Sequence, residues 1–254
     1  MDLNCEKYGG EGENVIILHG LLGSAQNWRT HAKKLAVNNK VYVLDLPNHG
    51  KSPHFLQHDY PFLANQVGTY LKQHNIKPAT IIGHSMGGKV AMQLVHDYPG
   101  LIKKLMVVDI APKTYIDPDN LILRTLNAVN LNRLQSREEI DKKMAETITE
   151  KQVRAFLLTN LARDQQSKFY WKSNVSLLCE NYNEILKSPK LINKIPIKTM
   201  FIKGTNSNYI NTQDLLTIKK WFDDVSIKSL NTGHWVHAEQ PTAFLDVANQ
   251  FLSG

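Results

Sequence analysis

The sequence has 254 residues, 42% of them hydrophobic and 21% charged, which suits one globular α/β unit carrying an insertion. No stretch approaches the ~18 consecutive apolar residues of a membrane span, and the polar start MDLNCEKYGGEGEN lacks the basic and apolar segments of a secretory leader, so a cytoplasmic chain is expected. The net charge of +7 comes mostly from lysines scattered along the chain without interleaved aromatics, which is a solvated surface and argues against a nucleic-acid partner.

Short apolar runs alternate with helical patterns, the signature of a mostly parallel sheet covered by helices. An edge strand is expected near residues 3–7, and Cys5 within it, like Cys179, has no metal-ligand neighbour and reads as a reduced thiol. The next strand, 15–18, runs into His19-Gly20-Leu21-Leu22-Gly23-Ser24. A glycine-bearing turn at that place can aim the backbone N–H of Leu21 at a reacting oxygen, while His19 is read as a buried ring that orders the loop. Strand 41–44 leads into Asp45-Leu46-Pro47-Asn48-His49-Gly50-Lys51-Ser52, a D-x-x-x-x-G-x-S turn read as structural.

Strand 80–83 is followed by Gly83-His84-Ser85-Met86-Gly87 and then by a helix carrying Val90, Ala91, Leu94, Val95 and Tyr98. G-x-S-x-G between a strand and a helix describes a turn so tight that side chains at 83 and 87 would clash; it lifts the serine hydroxyl above the sheet edge. Ser85 is therefore the expected nucleophile, and the N–H of Met86 the partner of Leu21 in an oxyanion hole. A serine hydroxyl needs a base, and three of the ten histidines follow Ser85: His96, His234 and His237. His96 lies about three turns along the helix, out of reach. His234 sits in the loop after strand 225–230, at the sheet edge where such folds place their sites, and is the expected base; His237 is read as structural, bonded to backbone near the last helix. No H-x-x-x-H or Cys/His spacing supports a metal.

After strand 105–108, residues 113–194 break the alternation. They carry helical spacing (Ile140, Met144, Ile148; Val153, Phe156, Leu157), no clear strand and no histidine. A helical cap inserted between two strands is expected there, with residues 1–112 and 195–254 forming the core. Leu121, Leu126, Phe156, Leu157 and Trp171 are its candidates for an apolar acyl pocket. Strands 197–202 and 225–230 and a C-terminal amphipathic helix (Phe244, Val247, Ala248, Phe251, Leu252) complete the core.

HGLLGSAQNW, DLPNHGKS, GHSMGGKVAM, VVDIAP and TGHWVHAEQP together resemble the small bacterial α/β-hydrolase esterases of the YbfF type, through most of the core and least in the cap. The resemblance implies a cofactor-free cytosolic esterase or thioesterase acting on small-molecule acyl esters beneath a helical cap. It also bears on the triad acid. In the commoner superfamily pattern an Asp follows the strand after the cap, but here that turn reads Gly204-Thr205-Asn206-Ser207-Asn208. Asp109, at the end of the strand before the cap, is the acid the resemblance implies, with Ser207 as a supporting hydrogen-bond partner. Two other readings stand beside this one. HGLLGSAQNW and DLPNHGKS also resemble C–C hydrolases or lyases of the menaquinone pathway, and a non-catalytic binding protein can keep the fold.

Overall fold

The computed structural model describes residues 2–254. Seven strands form one sheet: β1 (Cys5–Tyr8), β2 (Glu13–Leu18), β3 (Asn39–Leu44), β4 (Ala79–His84), β5 (Ile102–Val108), β8 (Lys198–Gly204) and β9 (Val225–Leu230), in the order β1-β3-β2-β4-β5-β8-β9. All neighbours are parallel except β1, which runs antiparallel to β3. The expected edge strand is thus shifted toward the C-terminus, beginning at Cys5.

β2 and β5 carry unbroken apolar runs, residues 15–18 and 105–108, because helices cover both sheet faces. Alternate residues point opposite ways. Ile16, Leu18, Ile81, Leu105 and Val107 pack toward α2 (Tyr60–Gln73) and α3 (Met86–Asp97). Val15, Ile17, Ile82, Met106 and Val108 join the other layer with Trp28 of α1 (Ala25–Leu35) and Phe244 of α11 (Pro241–Ser253). Helix entries are fixed locally: the Asp59 carboxylate accepts the Phe62 N–H at the start of α2, and the Ser24 N–H donates to the Asn27 side chain at the start of α1.

The register places the strand ends that matter side by side. His84 pairs with Val108, so the residues that follow, Ser85 and Asp109, leave the sheet at the same edge. The Ser85 N–H donates to Val108 O (3.0 Å) and the Asp109 N–H to Ile202 O (2.8 Å).

Between β5 and β8 come α4 (Leu121–Ala128), α5 (Arg137–Ala145), α6 (Lys151–Leu158), α7 (Val175–Glu180) and α8 (Tyr182–Leu186). Ile140 and Met144 on α5 and Leu157 on α6 are buried. The expectation of no strand in this stretch is corrected by an antiparallel hairpin, β6 (Leu161–Arg163) with β7 (Phe169–Trp171). Its turn is closed by the Asp164 carboxylate, which accepts the N–H groups of Gln166 and Lys168 (2.9 Å each). Among the described residues no helix is long and apolar enough to cross a membrane.

Candidate active site

The elbow after β4 is built as tightly as its glycines require. A Cβ on Gly83 would lie 2.5 Å from the Gly87 carbonyl oxygen, and one on Gly87 would lie 2.4 Å from the His19 carbonyl oxygen. Between them Ser85 adopts φ +52°, a left-handed conformation that non-glycine residues take only where surrounding structure enforces it. Asp109 does the same at the end of β5, with φ +50°. Both departures lift a side chain off the strand line toward the same point.

His234 meets them there. Its Nε2 lies 3.0 Å from Ser85 Oγ and its Nδ1 2.8 Å from Asp109 Oδ2. Asp109 is fully buried, and its carboxylate has three donors. The His234 ring and the Ser207 hydroxyl share Oδ2, and the Gly204 N–H reaches Oδ1 at 3.0 Å. A buried carboxylate so supplied is compensated for its lost hydration. Ser207 thus stands beside Asp109, where the turn after β8 carries no carboxylate of its own.

The remaining sequence candidates fall where their local chemistry takes them. Leu21 and Met86 border the same cavity as Ser85, and among the described residues neither backbone N–H has a protein acceptor. His19 is buried. Its Nδ1 donates to Gly20 O (2.8 Å) and its Nε2 accepts the Leu46 N–H (3.0 Å), so the ring ties the loop after β2 to the loop after β3. Asp45 is a turn organiser: its carboxylate takes the N–H groups of Ala25 (2.6 Å) and Lys51 (2.8 Å). His96 accepts the Ile192 N–H (3.1 Å), away from the serine. His237 differs from expectation. Its ring stacks on Trp28 (centroids 4.1 Å apart), while its backbone carbonyl takes the hydrogen bond, from His31 Nε2 at 2.8 Å.

Three residues to which the sequence assigns no role border the same cavity. His84 Nε2 donates to the His234 carbonyl (3.0 Å), pinning the loop that carries His234. Burial and the adjacent His234 push the His84 pKa down to about 3, so its ring is neutral at physiological pH. Tyr209 stacks on the His234 ring. Lys89, one turn beyond Ser85 on α3, donates to the carbonyls of Leu186 (2.9 Å) and Lys187 (2.6 Å), so it joins α3 to the end of α8; burial, with the charge of Lys113, lowers its pKa to about 7. His84 was visible inside the motif. Nothing local in the sequence marks the other two.

A cavity of about 720 Å³ opens over Ser85, within the roughly 300–1,000 Å³ common for small-molecule sites. Ile148, Val153, Phe156 and Leu157 from residues 113–194 give it an apolar wall, and Tyr115, Asp117 and Asn120 a polar one. Of the five expected pocket residues, Leu121, Phe156 and Leu157 line it. Leu126 and Trp171 do not: Leu126 is fully buried in the core cluster, and its carbonyl accepts the Trp171 indole N–H (3.3 Å). Among the described residues no cluster of His, Cys, Asp and Glu is arranged to hold a metal ion.

Residues 13–241 match the family model described as the alpha/beta hydrolase fold. The chain is 32% identical over 248 residues to the sn-1-specific diacylglycerol lipase ABHD11 of Mus musculus, covering 94% of this chain and 80% of that protein. It is 32% identical over 244 residues to the esterase YbfF of Escherichia coli (strain K12), covering 94% and 92%. Among solved structures it is similar to a marine microorganism esterase, with a TM-score of 0.96, 35% identity, and coverage of 98% of this chain and 99% of that one.

Proposed function

The chain belongs to the family of the alpha/beta hydrolase fold and is an ester-hydrolysing serine hydrolase; on that premise we propose that Ser85, His234 and Asp109 are its catalytic triad. The observation that carries the reading is the unbroken chain from Ser85 Oγ to His234 Nε2 (3.0 Å) and from His234 Nδ1 to Asp109 Oδ2 (2.8 Å).

Ser85 Oγ attacks the acyl carbonyl as His234 Nε2 takes its proton. The N–H groups of Leu21 and Met86 receive the oxyanion of the tetrahedral intermediate, an interaction whose loss typically costs about 3–4 kcal/mol of barrier stabilisation. Nε2–H then protonates the leaving alcohol or thiol, leaving an acyl-enzyme on Ser85. The same nitrogen deprotonates water for the second half-reaction. Asp109 holds the Nδ1–H tautomer and stabilises the imidazolium formed in each half, and Ser207 holds Asp109. No step calls on a cofactor.

Residues 113–194 act as a cap whose apolar wall receives the acyl chain, over a core of residues 1–112 and 195–254. The substrate is a small acyl ester or thioester, and the unpaired Cys5 and Cys179 accord with a reducing, cytoplasmic setting. A panel of p-nitrophenyl esters of graded acyl length tests this: turnover that rises from acetyl to medium aliphatic chains is expected. Turnover of none of them, or a preference for charged sugar-like acyl groups, would contradict it.

A further inference from the structure

The imidazole of His234 has an edge and two faces, and the triad accounts only for the edge. On one face lies Tyr209, its ring centroid 3.8 Å from that of His234 and the planes inclined by 16°. The His84 ring also approaches that of His234, with centroids 4.8 Å apart and planes inclined by 41°.

Tyr209 is held in that position from both ends of its own backbone. Its N–H donates to Ser207 Oγ (3.2 Å), and its carbonyl accepts the Tyr115 hydroxyl (2.7 Å). Each clamp is rooted in the residues just after β5. The Ser207 hydroxyl is bonded to Asp109, and Tyr115 Oη accepts the Ala111 N–H at 2.8 Å. The segment that presents the acid to the edge of the imidazole therefore also presents an aromatic ring to its face.

We propose that Tyr209 is a second positioning residue for His234, whose ring face stabilises the imidazolium that forms as Ser85 gives up its proton. A cation within about 6 Å of an aromatic centroid is attracted by the ring's negative face, and here the cation exists only once the proton has moved. The stack is therefore stronger in the transition state than in the resting enzyme, the condition for raising turnover. The titratable groups facing His234 leave this attraction unopposed. Asp109 from β5 is an anion already engaged at Nδ1. His84 from β4 and His237 from the short helix α10 (Val236–Glu239) are kept neutral by burial. Tyr209 keeps its own proton, its pKa raised by burial and by the charges of Asp109 and Asp117.

The inference rests on the serine mechanism proposed above, and its test separates the two. kcat/KM for a p-nitrophenyl ester is followed against pH in the wild type, Tyr209→Phe and Tyr209→Leu, with rates normalised to active sites titrated by a fluorophosphonate. Phe keeps the ring and Leu keeps an apolar cover without a ring face. Tyr209→Phe should match the wild type. Tyr209→Leu should lose about threefold on the plateau, the scale of a partly exposed cation–π contact, and its acid limb should move about half a pH unit to lower pH. The two profiles should meet at low pH, where His234 is already charged in the resting enzyme and the ring favours both states alike. A Leu profile that coincides with the wild type, or lies parallel below it at every pH, would overturn the proposal, as would a Phe variant that behaves like Leu. A wild type with neither an acid limb nor labelling at Ser85 would remove the serine mechanism and this inference together.

Discussion

The C-terminal edge of the sheet and the segment 113–194 build one cavity in opposite ways. At the sheet edge, Ser85 and Asp109 leave adjacent strands in enforced left-handed conformations, each tied to the neighbouring strand by a backbone hydrogen bond. The facing wall comes from short helices and loops joined to the core at separate points: the carbonyls at the end of α8 on Lys89, the Asn174 N–H on Asn48 O (2.9 Å), and the Asn160 side chain on Leu22 O. The first construction fixes atoms that must meet at hydrogen-bond distance. The second fixes only a shape. Reaction and selectivity are therefore separable here: changes at the sheet edge should act on kcat for every ester, and changes in 113–194 on KM for some.

The largest effect sits at the elbow. Ser85→Ala should lower kcat on the order of 10⁶-fold with an unchanged thermal transition, and residual turnover above a hundredth of wild type would take the chemistry away from the elbow. Asp109→Asn should cost about 10⁴-fold, because the imidazole loses its tautomer and orientation; near-normal kinetics would move the acid elsewhere. Ser207→Ala removes one of three donors to that carboxylate and should cost about tenfold in kcat, the scale of a single bond to a charged group, with KM held; a loss rivalling that of Asp109→Asn would make Ser207 a full member of the machinery. Phe156→Ala, on the opposite wall, should raise KM about fivefold for longer acyl esters, on the scale of lost apolar contact in a pocket, and leave kcat for a short ester alone. An equal fall in kcat for all chain lengths would dissolve the distinction between the two regions.

Acid should separate the same regions more gently. His19, His31, His49, His58, His84 and His237 all lie in the core and all have their pKa lowered by burial, to about 4 for His58 and about 3 for His84; residues 113–194 hold no histidine. Below about pH 6.5 the unfolded chain binds protons that the folded one refuses, so stability falls as pH drops from there toward the folded values. Hydrogen exchange in mild acid should lose protection around β2, β3 and β4 ahead of α5 and α6. The reverse order would place the acid-sensitive element in the segment without histidines.

What the sequence made legible follows the same divide. The glycines of Gly83-His84-Ser85-Met86-Gly87 are dictated by contacts within a few residues, so the elbow could be read directly. His234 was legible from chain order and the position of β9. Asp109 was legible through a resemblance and through the missing carboxylate between Gly204 and Asn208. In residues 113–194 the signals are weaker for a physical reason. The hairpin β6–β7 has three-residue strands, too short to show an alternation, and Leu126 and Trp171 are as apolar as true pocket residues yet spend their surface on the core and on each other. The stack of Tyr209 on His234 depends on the path of the turn after β8, and no periodicity encodes it.

Cleavage of esters through an acyl group carried by Ser85 is read by acid-quenching turnover of a p-nitrophenyl ester and mapping the acyl mass by peptide mass spectrometry. One acyl group on the peptide carrying Ser85 is predicted, formed as a burst of nitrophenol and absent from Ser85→Ala. Turnover without an adduct at Ser85 that persists in Ser85→Ala would contradict it.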